Sequence, residues 1–199
     1  MAGLRDQWRR AAMHAIQERA LDLFDERGFT AVTIEEIAAA AGVSPSSVYR
    51  YFGTKEGILV ADEFDTMGSE ALRELVNPAD PVDSLLQAVR RYEAVPDERA
   101  GRNASPWRRV RYFFTEPSVR MAACAALDRA AQRIAPLLAT EGGLSPSQAR
   151  VVANALAFGY FGALESWFRD GGDRPIAEYV EEGLAPLRRI WASEPRRVS

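Results

Sequence analysis

Hydrophobic residues recur along this chain at the three- and four-residue spacing of helices, and no stretch shows the sustained alternation of a strand. The first helix is predicted over residues 8–27, with one apolar stripe, and Gly28 is placed to end it. Capping patterns at Thr33 and Ser44 begin the second and third helices. The pattern therefore predicts an all-α chain of about nine helices.

Proline and glycine divide the rest of the chain into further predicted helices. A fourth helix is expected from Thr54 to Val76, and we expect it to transmit signals between two domains, residues 1–53 and 54–199. Pro136 and Pro186 are expected to kink or split the helices that contain them. The remaining helices are predicted over residues 81–95, 106–115, 117–140, 146–170 and 175–191.

Composition narrows the class of protein. Apolar residues make up 47% of the 199 residues, enough for a real core, and the net charge of −3 excludes a protein that coats nucleic acid or membrane by charge alone. The apolar window at residues 151–168 is too short and too polar to span a bilayer and is predicted to be a buried helix. With no signal-peptide pattern at the start, we expect a soluble, cytoplasmic protein that does not contact membranes.

Candidate chemistry is sparse. A single cysteine, Cys124, excludes an intrachain disulfide or a thiolate cluster, and His14 is the single histidine. The chain carries no nucleophile elbow, phosphate loop or zinc-protease motif. We therefore expect no enzyme activity, no catalytic residue, no metal and no cofactor.

The informative segment is residues 33–55, TIEEIAAAAGVSPSSVYRYFGTK, which predicts two short helices joined by a tight turn. This is the pattern of a helix-turn-helix, whose second helix enters the major groove of DNA. Small serines at the start of that helix allow its backbone to come close to DNA. Val48 and Phe52 fall on the opposite face and are expected to pack against Ile37 and Ala41.

This segment resembles the TetR family of bacterial transcriptional regulators over about 30 residues. The resemblance implies a three-helix DNA-binding domain followed by a larger helical domain that binds a small effector and dimerises. We therefore expect a homodimeric regulator, a repressor of a palindromic operator released by its effector. The matching residues are Gly28-Phe29, Thr33, Ile37-Ala38, Ala41-Gly42-Val43, Ser44, Val48-Tyr49, Tyr51-Phe52 and Lys55-Glu56.

The same resemblance implies the residues that contact DNA. Phosphate contacts are expected from Thr33, Ser44, Tyr51 and Lys55, and base or groove contacts from Ser46, Ser47, Tyr49 and Arg50. Residues 1–55 hold seven basic and seven acidic residues, a balance weaker than expected for DNA binding, and Glu35 departs from the pattern near the DNA face. Arg5, Arg9 and Arg10 are expected to add contacts to the backbone or minor groove.

The larger domain contains two further predicted surfaces. A weak resemblance to regulators that bind acyl-CoA-like ligands implies a pocket for a partly apolar anion, in which arginines hold phosphates. The predicted effector residues are Trp107, Arg108, Arg111, Tyr112, Asn154, Phe158 and Trp167. Small and large apolar residues on the last two helices predict a four-helix dimer interface. Its residues are Ala155, Gly159, Ala163, Trp167, Leu184, Leu187 and Trp191.

Other interpretations of the same residues stay open. The arginines near residue 108 also fit a solvated basic face, and the apolar residues of the last two helices also fit the core of one chain. A helical small-molecule-binding protein with a non-functional DNA head is the alternative function. A helical enzyme that uses Cys124 or His14 is the remaining one.

Overall fold

The computed structural model describes residues 2–61, 64, 67–94 and 108–193. Within these residues the chain forms ten helices and no strand, as the spacing of hydrophobic residues predicts. In chain order they are α1 Ala2–Arg27, α2 Ile34–Ala40, α3 Pro45–Phe52, α4 Lys55–Val60, α5 Ser69–Leu75, α6 Pro81–Glu93, α7 Val110–Thr115, α8 Pro117–Thr140, α9 Pro146–Arg169 and α10 Ile176–Ser193. None of the described helices is long and apolar enough to cross a membrane.

The chain divides into two compact units. The first contains residues 1–63 and 101–123, so it holds α1–α4, α7 and the start of α8. The second contains residues 64–100 and 124–199, with α5, α6, the rest of α8, α9 and α10. The first unit includes the predicted DNA-binding domain of residues 1–53 and adds α4 and α7 to it. The domain boundary after residue 53 stays a prediction.

A buried apolar cluster joins α1, α2 and α3 in the first unit. Ile16, Phe24, Ile37 and Val48 are all at most 1% exposed and come from three helices. Phe52 lies in the same cluster, and Ala41 packs against it. The predicted packing of α3 against α2 is therefore confirmed, and it buries one face of α3 while leaving the other face to solvent.

The predicted helix from Thr54 to Val76 is wrong as one element. α4 ends at Val60, because Ala61 adopts an extended conformation with φ −67° and ψ 132°. The Ala61 carbonyl accepts hydrogen bonds from the side chains of Gln17 at 2.8 Å and Arg109 at 3.0 Å instead of from a following turn. A new helix, α5, starts after Gly68. This interruption raises the number of described helices from about nine to ten.

Three other boundaries differ from the prediction. α1 begins at Ala2 rather than near Trp8, six residues earlier than the apolar stripe indicates. α8 and α10 both continue through their prolines, Pro136 and Pro186, so neither helix is split there. A proline costs one helical hydrogen bond, and the burial of Leu137 and Leu138 directly after Pro136 offsets that loss.

Candidate nucleic-acid interface

α3 begins with a group of three serines. The Ser44 hydroxyl caps the helix by accepting from the Ser47 backbone N–H at 3.3 Å. The same oxygen lies 2.9 Å from the Ser46 hydroxyl and 3.0 Å from the Ser47 hydroxyl. Pro45 occupies the first turn, where a missing N–H costs nothing. Small hydroxyls are therefore held at the start of α3, close to the helical N–H groups that favour phosphate.

The two faces of α3 differ sharply in burial. Val48 is fully buried and Phe52 is 8% exposed, whereas Tyr49 keeps 49% of its surface exposed. Arg50 is exposed beside Tyr49; its guanidinium donates to the Tyr51 hydroxyl at 3.3 Å and lies 5.0 Å from the centre of the Tyr51 ring. Tyr51 thus holds Arg50 at the surface, where a planar fork of donors can bond a guanine edge.

The connection into α3 needs one special backbone conformation. Gly42, in the turn between α2 and α3, has φ +68°, in the left-handed region that glycine adopts without a steric cost. A β-carbon there would meet no other atom within 4 Å, so the conformation rather than crowding favours glycine. The turn sets the angle at which α3 leaves α2.

α2 begins with the predicted capping box. The Glu36 carboxylate accepts from the Thr33 backbone N–H at 2.8 Å and from the Thr33 hydroxyl at 3.0 Å. Arg27 forms an ion pair with Glu36 at 2.8 Å. The hydrogen bond from the Thr33 backbone, then the one from Arg27, lower the pKa of Glu36. Glu36 is therefore ionised and held by the cap, while Glu35, one residue earlier, is exposed.

Lys55, at the start of α4, is bound within the chain. Its ammonium donates to the carbonyls of Phe29 at 2.8 Å and Val32 at 3.0 Å, and lies 4.4 Å from the centre of the Phe29 ring. Two of its three N–H groups thus fix the α1–α2 connection that ends at Thr33. Its phosphate contact stays a prediction.

All eight predicted DNA-contacting residues lie in the first unit, on or directly before α2, α3 and α4. Five are exposed and three are half-buried, and contact with DNA stays a prediction for each. The exposed ones are Thr33, Ser44, Ser46, Tyr49 and Arg50; the half-buried ones are Ser47, Tyr51 and Lys55.

Comparison with known proteins identifies these elements. Residues 16–61 match the family described as bacterial regulatory proteins, tetR family, and residues 79–192 match the MftR C-terminal domain. The chain is 30% identical over 180 residues to the HTH-type transcriptional regulator HbdR of Aromatoleum sp. (strain CIB), covering 87% of this chain and 78% of HbdR. The chain belongs to the TetR family.

Further similar proteins match either a part or nearly all of the chain. The HTH-type transcriptional repressor Rv3405c of Mycobacterium tuberculosis (strain ATCC 25618 / H37Rv) is 41% identical over 81 residues, 41% of this chain and 42% of that protein. Among solved structures, the NalD repressor of Pseudomonas aeruginosa has a TM-score of 0.53 at 23% identity and covers 90% of this chain and 96% of its own. FadR from Bacillus halodurans has a TM-score of 0.54 at 16% identity, covering 93% and 96%. At these identities the two structures support the fold alone.

The predicted effector residues near α7 of this TetR-family chain meet acids of α1. Arg108 donates to Asp25 and, at 3.0 Å, to Asp22, and Arg111 pairs with Asp25 as well. The Tyr112 hydroxyl donates to Asp25 at 2.6 Å, and burial raises the pKa of Tyr112. We call Asp22, Asp25, Arg108, Arg111 and Tyr112 the α7 cluster. Trp107 lies outside the described residues.

A groove of about 510 Å³ opens beside the α7 cluster. Three carboxylates against two guanidiniums give it an acidic excess, so it does not favour an anion. Its lining residues are Arg19, Asp22, Leu23, Asp25, Glu26, Ala40 and Arg108.

The other predicted effector residues lie on α9 in the second unit. The Asn154 amide donates to the Arg150 carbonyl at 2.9 Å, and the Trp167 indole N–H donates to the Arg174 carbonyl at 3.1 Å. Phe158 is 41% exposed. The side chains of Asn154 and Trp167 therefore already donate to backbone carbonyls of the same chain. A role in a pocket stays a prediction for all three residues.

The predicted dimer residues separate into interior and surface positions. A β-carbon on Gly159 would lie 2.7 Å from a methyl carbon of Leu184, so Gly159 lets α10 of the same chain approach α9. Leu184 and Ala163 are 1% and 6% exposed, and Ala155, Trp167 and Leu187 are half-buried. The Trp191 side chain lies outside the described part of the chain.

The exposed face of α9 carries residues that the prediction missed. Val151 is 65% exposed and Gly162 is exposed, and with Ala155 and Phe158 they recur at the spacing of one helical stripe. We call these four residues the α9 stripe. The same spacing is present in the sequence, but the larger apolar residues on the neighbouring face of α9 make it difficult to recognise.

Proposed function

We propose that this TetR-family chain is a homodimeric repressor that binds a palindromic operator in the cytoplasm and is released by a small-molecule effector. The observation that supports DNA reading is the exposed face of α3. It presents Ser46, Tyr49 and Arg50 to solvent while Val48 and Phe52 anchor the helix from behind. A short helix with small residues at its start and a planar donor near its end suits the major groove.

The operator symmetry follows from the symmetry of the dimer. Two copies of α3 that enter successive major grooves lie about 34–36 Å apart, one turn of DNA, so the half-sites are inverted copies at that spacing. In this arrangement the capping hydroxyls of Thr33 and Ser44 lie next to phosphates, which position the reader but carry no sequence information.

The α9 stripe supports the choice of dimer surface. An exposed apolar stripe with small residues between larger ones permits the close approach of a second helix. Gly162 has no atom within 4 Å of a β-carbon built on it, so the described residues leave that side of α9 uncovered. Pairing the α9 stripe with its two-fold mate brings together α9 and α10 of both protomers.

The proposed effector is partly apolar and anionic, of which an acyl-CoA-like molecule is one example. A groove of about 320 Å³ in the second unit combines apolar and basic side chains with one acid, and its Arg188 also pairs with Asp80 at 3.1 Å. Its lining residues are Val82, Leu86, Glu181, Ala185, Arg188 and Arg189. A molecule that instead engaged Arg108 and Arg111 would have to displace Asp22 and Asp25. Either way, the effector releases DNA only by binding the two conformations of the dimer with different affinities.

Selection from a random duplex library tests the proposal. The purified chain is expected to enrich an inverted repeat, and the enriched duplex is expected to bind with a stoichiometry of two protomers per site. Enrichment of no sequence above the input library would contradict DNA reading. It would instead favour the alternative, a small-molecule-binding protein with a non-functional DNA head, which the balance of seven basic and seven acidic residues in 1–55 also fits.

A further inference from the structure

An arginine followed directly by a tyrosine occurs twice in the first unit, as Arg50-Tyr51 on α3 and as Arg111-Tyr112 on α7. In both pairs the guanidinium donates to the hydroxyl of the tyrosine, at 3.3 Å on α3 and at 2.9 Å on α7. In both pairs the guanidinium carbon also lies over the tyrosine ring, 5.0 Å and 4.8 Å from its centre. The two pairs therefore share one local geometry and can be compared directly.

The pair on α7 binds an anion within the chain. The Tyr112 hydroxyl donates to a carboxylate oxygen of Asp25 at 2.6 Å, and the Arg111 guanidinium bonds the same oxygen. The hydroxyl thus accepts from the arginine while its single proton goes to the carboxylate. A hydroxyl that donates to a charged oxygen becomes a stronger acceptor, which agrees with the shorter contact between arginine and tyrosine on α7.

The pair on α3 lacks such an anion among the described residues. The proton of the Tyr51 hydroxyl has no acceptor there, and Arg50 forms no ion pair there. The Tyr51 ring is half-buried, packs against the buried cluster of the first unit and lies edge-on to Phe52, with ring centres 6.4 Å apart. Tyr51 is therefore held from behind, whereas the exposed Arg50 is held by Tyr51.

A phosphate oxygen of DNA matches the anion that the α3 pair lacks. Phosphate, like carboxylate, presents a charged oxygen that accepts from an O–H group and from a guanidinium. The family resemblance implies a phosphate contact for Tyr51 and a base contact for Arg50, as two separate contacts. In the structure the two residues share one hydroxyl, so a phosphate that takes the proton of Tyr51 strengthens the bond from Tyr51 to Arg50.

We propose that Tyr51 is a positioning residue for Arg50, because one hydroxyl bonds both a phosphate and the guanidinium that reads a base. The proposal rests on the proposed DNA-binding function, and it makes base preference depend on a residue that contacts no base. Immobilising an unheld, flexible side chain lowers affinity about two- to tenfold. When Tyr51 holds Arg50 in advance, the duplex with the correct base gains its contact without that loss.

A ratio of two affinities tests the proposal. One duplex is that selected by the wild-type protein, and the other differs at the base pair whose preference Arg50→Ala relaxes. Loss of a phosphate contact weakens both duplexes equally and cancels from the ratio. Tyr51→Phe removes the hydroxyl and keeps the ring against Phe52, and it is expected to lower the ratio about two- to tenfold. In an Arg50→Ala background the same change is expected to leave the ratio unchanged, because no guanidinium remains to be held.

A control comes from a third arginine and tyrosine in sequence, Arg91-Tyr92 on α6 in the second unit. Tyr92→Phe removes a tyrosine hydroxyl there and is expected to leave the affinity ratio unchanged. Urea denaturation of Tyr51→Phe checks that the first unit is folded.

Two results would overturn the proposal. The first is a wild-type ratio in Tyr51→Phe with weaker binding to both duplexes, which would show two independent contacts. The second is an equal fall of the ratio in the Arg50→Ala background, which would show that the hydroxyl acts on the base without Arg50. Failure of the proposed function appears earlier, because no duplex would then be selected by the wild-type protein.

Discussion

The exposed face of α3 and the α7 cluster both combine arginine with tyrosine, but their arginines have different partners. On α3, Tyr49 and Arg50 are exposed, and the guanidinium of Arg50 donates a hydrogen bond to the hydroxyl of the neighbouring Tyr51. In the α7 cluster, Arg108 has 14% side-chain exposure and bridges two carboxylates. The first set is exposed to solvent, whereas the guanidiniums of the second set are paired with carboxylates of α1.

The difference lies in partners that are distant in the sequence. The two acids of the α7 cluster, Asp22 and Asp25, lie on α1, 83 to 87 positions before the arginines and the tyrosine that they bind. Residue type and local spacing therefore describe both segments equally well, and only the fold decides which guanidiniums are neutralised. Variants whose effects on stability and on DNA preference can be measured separately test this difference.

The largest expected effect is on the α7 cluster. Asp25→Ala removes the acceptor shared by Arg108, Arg111 and Tyr112 and leaves two guanidiniums without their main counter-charge. We expect a loss of about 2–3 kcal/mol in the free energy of unfolding, because several hydrogen bonds between charged groups are lost together, while the 26% side-chain exposure of Asp25 keeps the cost below that of a fully buried pair. Urea denaturation of the full-length protein measures it.

A double-mutant cycle controls for the loss of packing. Arg108→Met combined with Asp25→Ala is expected to cost less than the sum of the single changes, by about 1 kcal/mol or more. Additive costs would show that the ion pairs do not couple, and the comparison with α3 would then fail. The base preference of all three variants is expected to stay that of the wild type.

The same division between interior and surface appears on α9. Gly159→Leu forces side-chain atoms against Leu184 of the same chain and is expected to cost about 2 kcal/mol of unfolding free energy. Gly162→Leu, three residues on, meets open space and is the matched control; it is expected to leave unfolding unchanged but to weaken the dimer. Unfolding curves and light scattering distinguish them. A Gly159→Leu protein that is stable but monomeric would instead support the predicted dimer interface, which includes Gly159.

How much the sequence predicts depends on the range of the contacts. The caps at Thr33 and Ser44 were both predicted, because a side-chain cap is complete within four residues. The end of α4 was missed, because the groups that hold the Ala61 carbonyl come 44 and 48 positions away. For the candidate site, the exposed face of α3 follows from helical periodicity, whereas the internal bonds of Lys55 depend on the packing of α1 against α4.

Arg50→Ala tests the exposed side of the comparison. Because Arg50 contributes no buried contact, we expect the free energy of unfolding to stay within about 0.5 kcal/mol of wild type. Loss of a bidentate base contact is expected to cost about 1–3 kcal/mol in operator binding and to relax preference at one position of each half-site. Binding titrations against single-base variants of the selected operator measure this. Arg91→Ala, an exposed arginine of the second unit, is the control, and an unchanged preference in Arg50→Ala would remove it from the reading face.

Lys55 combines internal hydrogen bonds, like the α7 cluster, with a predicted DNA contact, like α3. Its substitution is expected to have the smallest effect. Lys55→Met keeps the length of the side chain but removes two hydrogen bonds to backbone carbonyls and the contact with the Phe29 ring, at an expected cost of about 1 kcal/mol in unfolding free energy. If the third N–H also binds phosphate, the salt slope of DNA binding falls by about one as well. A lower stability with an unchanged salt slope of DNA binding would show that Lys55, like the α7 cluster, stabilises the chain and does not bind phosphate. A reduced slope with unchanged stability would place it with α3, and would show that its internal bonds contribute little.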